Sequence, residues 1–280
     1  MKTEPTAAEL YLDLIKKCLT RSIFPETYKP VHRPPLTIKH WHWFAYPSIA
    51  AFLEKRGYWL FRKANVDPGR REEGRDWPAE AETMIGLKRL DNLHSCIREV
   101  LQENVPGDFI ETGVWRGGAC IFMRATLQAY HDNVRRVWAA DSFAGLPKPD
   151  GRYLQDQGDR HYKKKDQLGV SLDQVKANFA RYDLLDERVC FLPGWFKDTL
   201  PSAPIEHLAI LRLDGDMYSS TMDALQCLYP KLSPGGFVIV DDYGVLESCR
   251  TAVEDFRVSN GITTPVTAID QSGVYWKKAS

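Results

Sequence analysis

At 280 residues with 37 basic and 37 acidic side chains, the chain carries no net charge to draw it onto nucleic acid or an anionic membrane. Its 44% hydrophobic content is that of an ordinary globular protein. No run approaches the about eighteen apolar residues of a membrane span, and the start, "MKTEPTAAELYLDLIKKCLT", lacks the apolar run of a signal peptide.

The cysteines (Cys18, Cys96, Cys120, Cys190, Cys227, Cys249) form no CxxC pair and read as buried free thiols of a cytoplasmic protein. In chain order, Leu10, Leu12, Leu14, Ile15, Cys18 and Leu19 recur at helical spacing, so residues 8–20 predict an amphipathic helix. Residues 24–48 crowd Pro, His and aromatics together and predict irregular structure. His40 and His42 there have metal-like spacing, but no third ligand stands nearby, which favours packing over zinc. A helix over 49–66 and the charged loop "DPGRREEGRD" follow. After Trp77-Pro78, "AEAETMIGLKRLDNLHSCIREVLQ" reads as a helix with Ile85, Leu90, Leu93, Ile97 and Leu101 toward one face.

From Gly107 onward strands alternate with helices, with strands expected at 108–114, 135–141, 188–193, 208–214, 235–241, 264–270 and 273–278. The first five are spaced for crossover helices and hence for a parallel sheet. The last two, joined by "DQSG", suit a hairpin that adds an antiparallel strand. In such a sheet ligands bind beyond the carboxyl ends of the strands, and the distinctive motifs all lie there.

The first strand runs into "DFIETGVWRGGACIF", with Glu111 at its end and Gly113, Gly117 and Gly118 before a helix. Glycines there let backbone approach a ligand, and the helix start offers free N–H groups. Trp115 occupies the place of the second glycine of G-x-G-x-x-G, so a pyrophosphate loop is disfavoured. A carboxylate before a short Gly-rich turn suits a cofactor with an ammonium group, such as S-adenosylmethionine; a tight strand-to-helix turn is the bland alternative. The second strand ends in Asp141 within "VWAADSFAGLP", placed to accept from two ribose hydroxyls or to cap the following turn. The third ends in "FLPGWFKDTLP", where Gly194, Trp195 and Phe196 suit an adenine wall or aromatic packing.

"LRLDGDMYSS" and "FVIVDDYG" end the next two strands in Asp214, Asp216, Asp241 and Asp242. Converging carboxylates repel unless a cation neutralises them, and hard oxygen ligands favour Mg²⁺ on Asp214, Asp241 and Asp242. Asp214 and Asp216 both qualify as a general base. "LDGD" also fits a DxD glycosyltransferase binding a sugar nucleotide, and superficially a phosphoaspartate phosphatase. His161, in "LQDQGDRHYKKKDQLGV", lies either in a lid or in a solvated loop.

Together with "TMIGLKRLDNL", "LSPGGFVIVDDY" and "GVYWKK", these motifs closely resemble the macrocin and mycinamicin III O-methyltransferases. The resemblance implies the Rossmann-like class I methyltransferase fold, a seven-stranded, mostly parallel α/β sheet, as a domain over 80–280. Residues 1–79 then serve the acceptor site or oligomer contacts. It implies S-adenosylmethionine as donor, Mg²⁺, a glycosylated small-molecule acceptor and a homo-oligomer. Glu111 and Gly113 would flank the methionine portion, Asp141 and Ser142 the ribose, and Gly194 and Trp195 the adenine. Thr83 and Met84, in the helix before the sheet, would close over the cofactor, and Asp214, Asp241 and Asp242 would hold the metal, with an aspartate of the DGD motif as base. Residues 24–76 look longer than the family's corresponding segment, and the basic lid replaces a more acidic one.

Overall fold

The computed structural model describes residues 4–24, 28–30, 46–63, 67–149 and 151–279. Helix α1 (Ala7–Leu19) starts from a capping box: Thr6 accepts from the Glu9 N–H while the Glu9 carboxylate takes the Thr6 N–H. Its Leu12, Ile15 and Leu19 are buried, placing it in the same core as the central sheet. Strands β1 (Tyr28–Pro30) and β2 (Phe61–Lys63) pair antiparallel on either side of α2 (Tyr46–Glu54). The helix expected over 49–66 thus stops at Glu54. Gly57, at φ +79°, turns the chain, and the Tyr58 N–H closes back on the Leu53 carbonyl. His40 and His42 fall outside the described residues.

The expected loop "DPGRREEGRD" contains a short helix, α3 (Pro68–Glu72), because Asp67 caps it and Pro68 occupies its first turn. Helix α4 (Leu87–Gln102) begins later than expected. A Cβ on Gly86 would stand 2.1 Å from the Glu72 carbonyl oxygen, so close backbone packing against the α3 turn holds 79–86 out of the helix. Thr83 and Met84 therefore lie in a loop before α4, not within a helix.

The main sheet comprises β3 (Asp108–Thr112), β4 (Val137–Asp141), β5 (Val189–Pro193), β6 (Leu208–Leu213), β7 (Leu232–Val240), β8 (Thr267–Ala268) and β9 (Val274–Lys277). Their spatial order is β5-β4-β3-β6-β7-β9-β8, with β3 to β7 parallel and β9 antiparallel to both β7 and β8. The strand expected over 264–270 shrinks to two residues, just after Pro265, which has no N–H to give a ladder. Crossovers are made by α5 (Gly118–Ala129), α7 (Leu172–Arg181), α8 (Phe196–Thr199) and α9 (Tyr218–Leu228), with α6 (Lys165–Leu168) ahead of α7, and α10 (Glu247–Ser259) follows β7.

Alternation along the strands divides the core. Phe109, Val137, Ala139, Ile210 and Phe237 face α1, α4, α5 and α7, while Ile110, Trp138, Ala140, Leu211 and Val238 face α9 and α10. Because the chain leaves β3 first to one side and later returns on the other, the order reverses between β3 and β6, which opens a crevice at their carboxyl ends. Register fixes what lines it: Thr112 lies opposite both Ala140 and Leu213, and Leu213 opposite Val240. The residues that follow, Asp141, Asp214 and Asp241, therefore emerge at one level. Among the described residues no helix is long and apolar enough to cross a membrane.

Candidate active site

A cavity of about 800 Å³ opens at this edge, within the size range of small-molecule sites. Of the residues singled out from the strand-end motifs, Glu111, Gly113, Asp141, Ser142, Gly194, Trp195, Phe196, Asp214, Asp216, Asp241 and Asp242 line it, whereas Gly117 and Gly118 do not. Thr83 and Met84 reach it from the loop before α4.

At its floor, one oxygen each of Asp214, Asp241 and Asp242 lies within 4.8 Å of the others. Parallel pairing of β6 with β7 causes this convergence, and the Asp241 N–H donates to the Leu213 carbonyl at 2.9 Å. Desolvation, with Asp241 close by, pushes the Asp214 carboxyl up to about 8. Desolvation likewise carries Asp216 to about 6, against the pull of His161. Asp242 is driven well above the carboxylate range by desolvation and by Asp216, Asp214 and Asp241. Among the described residues no hydrogen-bond partner reaches the buried Asp242 Oδ2. An orphaned carboxylate oxygen beside two converging carboxylates is a hard donor set that suits Mg²⁺.

The cluster includes basic partners that composition and spacing did not disclose. Arg212, the penultimate residue of β6, binds Glu111 and Asp241 and donates to Asp214 Oδ2 at 2.9 Å. Arg89, on α4, binds Asp241 and donates Nε to Asp270 Oδ2 at 2.9 Å. The only sequence signal for Arg212 is a charge inside an otherwise apolar strand, "LAILRL".

On the other side of the crevice, Glu111 is buried between Arg212 and the Cys120 thiol, which lies 3.0 Å from its Oε2. Asp141 accepts from the Val114 N–H at 2.8 Å and the Phe143 N–H at 2.7 Å, so it ties the glycine loop to the turn after β4. Ser142 Oγ donates to the Gly145 carbonyl at 2.6 Å and accepts from Ala144. Trp195 is 36% exposed and is among the residues that line the cavity.

The glycine loop corrects one expectation. Its missing side chains admit other parts of the protein: a Cβ on Gly113 would meet the Asp214 carbonyl oxygen, and one on Gly118 the Glu82 carbonyl and Thr83. The Gly118 N–H at the start of α5 is taken by the Glu82 carbonyl at 3.0 Å, so it is not a free ligand donor. The segment 79–86 crosses the helix start, and this tight packing brings Thr83 and Met84 to the cavity.

The stretch after β4 is folded over the cavity and anchored. Asp156, 3% exposed, accepts the Tyr218 and Ser219 N–H groups at 2.8 and 3.0 Å and so caps α9. Arg152 forms a fork with Asp223 of α9, both contacts at 2.8 Å. His161 lines the cavity, with Nδ1 2.9 Å from Asp159 Oδ2.

The profile of the Macrocin-O-methyltransferase (TylF) family matches residues 8–278. The chain is 50% identical over 272 residues to the 8-demethyl-8-(2,3-dimethoxy-alpha-L-rhamnosyl)-tetracenomycin-C 4'-O-methyltransferase of Streptomyces olivaceus, covering 97% of this chain and 93% of that one. It is 45% identical over 278 residues to the mycinamicin III 3''-O-methyltransferase of Micromonospora griseorubida, covering 98% of each. That coverage leaves no room for a long insertion over 24–76 relative to the mycinamicin enzyme. Among solved structures, that of the O-methyltransferase NovP superposes with a TM-score of 0.82 at 44% identity, covering 98% of this chain and 100% of that one. The sheet is thus that of the class I O-methyltransferase fold, and the chain belongs to the macrocin O-methyltransferase family.

Proposed function

We propose that the protein transfers a methyl group from S-adenosylmethionine to a hydroxyl, that of a sugar on a glycosylated natural product, with Mg²⁺ in the acidic cluster. The observation that carries this reading is the convergence of Asp214, Asp241 and Asp242 within 4.8 Å on the floor of a cavity shared with the glycine loop. The acceptor class follows from the relatives, one named for a rhamnosyl tetracenomycin and one for mycinamicin III. The family membership displaces the glycosyltransferase and phosphatase readings of "LDGD".

When bound, S-adenosylmethionine supplies an electrophilic sulfonium methyl group and Mg²⁺ supplies a Lewis-acidic charge. Asp214, Asp241 and Asp242 hold the cation. Glu111 and Gly113 flank the methionine portion, Asp141 and Ser142 the ribose, and Gly194 and Trp195 the adenine, with Thr83 and Met84 closing the near side. Asp216 is placed to take the proton from an acceptor hydroxyl, whose oxygen would gain the methyl group as the donor's S–CH3 bond breaks and S-adenosylhomocysteine leaves. Two facts favour Asp216 over Asp214 as base. Asp214 already gives Oδ2 to Arg212 and belongs to the cluster, whereas Asp216 lines the cavity outside it. The Asp216 carboxyl, at about 6, is also ionised near neutral pH and well matched to general-base work. The lid anchored on α9 keeps water from the reacting atoms.

Residues 1–79 serve acceptor contacts or a homo-oligomer in this reading, consistent with the exposed Phe52, Tyr58, Trp59 and Phe61. The test is twofold. S-adenosylhomocysteine at about a hundred times its Kd should stabilise the fold by roughly 2.7 kcal/mol. Methyl transfer to a rhamnosylated polyketide should then require Mg²⁺ and stop with EDTA. Absence of any melting shift at saturating S-adenosylhomocysteine would sink the donor assignment, and full turnover in EDTA the metal assignment.

A further inference from the structure

Arg212 is 1% exposed, at the penultimate position of a strand whose other residues are apolar. Leucine at 212 would suit the strand pattern, so the burial of a guanidinium there has to be explained by what it holds. In register it stands beside Glu111 on β3 and Ile239 on β7. Its Nη1 reaches both Glu111 Oε1 and Asp214 Oδ2, and its Nη2 reaches Asp241 Oδ1. Arg89 takes the other Asp241 oxygen from the α4 side and is itself held by Asp270. Asp241 is therefore gripped at both oxygens and Asp214 at one.

We propose that Arg212 is a positioning residue for the cation centre: its fork fixes the side chains of Asp214 and Asp241 so that they converge with Asp242 before any ion arrives. This rests on the reading of the cluster as a metal site. A planar guanidinium presents five donors in a rigid array and spans three carboxylates at once, whereas a lysine ammonium is a single point on a flexible stem. Arg89 is the second half of the clamp, reached from outside the cluster through Asp270, whose Oδ1 is also held by the Ser272 and Gly273 N–H groups. Partners of metal-binding carboxylates that orient them in this way change metal affinity by about 10–100-fold when removed.

The test uses Mn²⁺ as the probe, titrated calorimetrically into the full chain without donor or acceptor. Wild type is expected to bind Mn²⁺. Arg212→Lys keeps the charge and loses the fork, and is expected to bind about 10–100-fold more weakly, with an unchanged far-ultraviolet circular dichroism spectrum. Its turnover is expected to recover as Mn²⁺ is raised above the weakened Kd. Asp270→Asn retains an oxygen for Ser272 and Gly273 but releases Arg89, and is expected to weaken Mn²⁺ binding in the same direction by a smaller factor. If Arg212→Lys does not fold, Asp270→Asn decides, and an unchanged Kd there overturns the proposal. An unchanged Kd in folded Arg212→Lys also overturns it, since a charge alone then suffices. No Mn²⁺ binding by wild type removes the metal reading itself, a result distinct from either.

Discussion

Replacing Gly113 by alanine should disturb the fold and the acidic cluster together. Gly113 follows β3 at φ +89°, and an added Cβ would lie 1.8 Å from the Asp214 carbonyl oxygen and 2.8 Å from its carbonyl carbon. Neither strand end can yield easily, because the Gly113 N–H is bonded to the Ala140 carbonyl and the Asp214 N–H to the Thr112 carbonyl, both at 2.8 Å. The left-handed backbone costs an alanine about 1–2 kcal/mol. Forcing β3 and β6 apart adds about 1–3 kcal/mol. A total of about 2–5 kcal/mol lowers Tm by roughly 3–9 °C in a chain of this size. Gly261→Ala is the matched control: φ is +62°, but nothing among the described residues lies within 4 Å of the added Cβ, so only the backbone term of about 1–2 kcal/mol remains. Differential scanning calorimetry of both variants measures the difference. Equal drops in Tm for Gly113→Ala and Gly261→Ala would refute the argument that the glycine serves the approach of β6.

In EDTA, the folded chain keeps protons on Asp214 up to about 8 and on Asp216 up to about 6, whereas the unfolded chain loses them near 3.8. This contribution to stability is therefore full below the unfolded value and falls as pH rises through the folded ones. The rise in Tm on adding Mg²⁺ should accordingly be larger at a pH of about 8.5 than at about 5.5; melting curves showing the reverse would contradict the assignment. Asp216→Asn should lower kcat by about 10²–10⁴-fold while Mn²⁺ and S-adenosylhomocysteine still bind in calorimetry, and near-normal turnover would exclude it as base. Asp156→Ala removes the acceptor for the Tyr218 and Ser219 N–H groups, a cap worth about 1–2 kcal/mol. Trypsin should then cut faster at the Lys163, Lys164 and Lys165 sites, and an unchanged cleavage rate would show that the lid is held elsewhere.

The parallel strands were legible because each is a short apolar run that ends in a motif, and the spacing between runs admits a helix. Boundaries failed where tertiary contact overrode periodicity. Gly86 sits against the backbone of Glu72, so α4 starts at Leu87 although the hydrophobic pattern extends upstream. The carboxylates that line the cavity were visible as charges at strand ends. Arg212 and Arg89 were not, because their role depends on register: one is a lone charge in an apolar strand, and the other lies 152 residues from the Asp241 it binds. The glycine loop was found for an incomplete reason, since ligand approach and protein packing leave the same mark in a sequence.

The paired arginines also refine the argument from repulsion. Converging carboxylates do not by themselves demand a metal, because Arg212 and Arg89 bind Glu111, Asp241, Asp270 and one oxygen of Asp214 and offset two of their charges. Neither arginine hydrogen-bonds Asp242 Oδ2, buried and unpartnered among the described residues, or the Asp216 carboxyl beside it. In the absence of an ion protons offset part of the remaining charge: desolvation and neighbouring carboxylates raise Asp214, Asp216 and Asp242 together, with Asp216 the first to ionise. A divalent cation and protons therefore compete for the same oxygens.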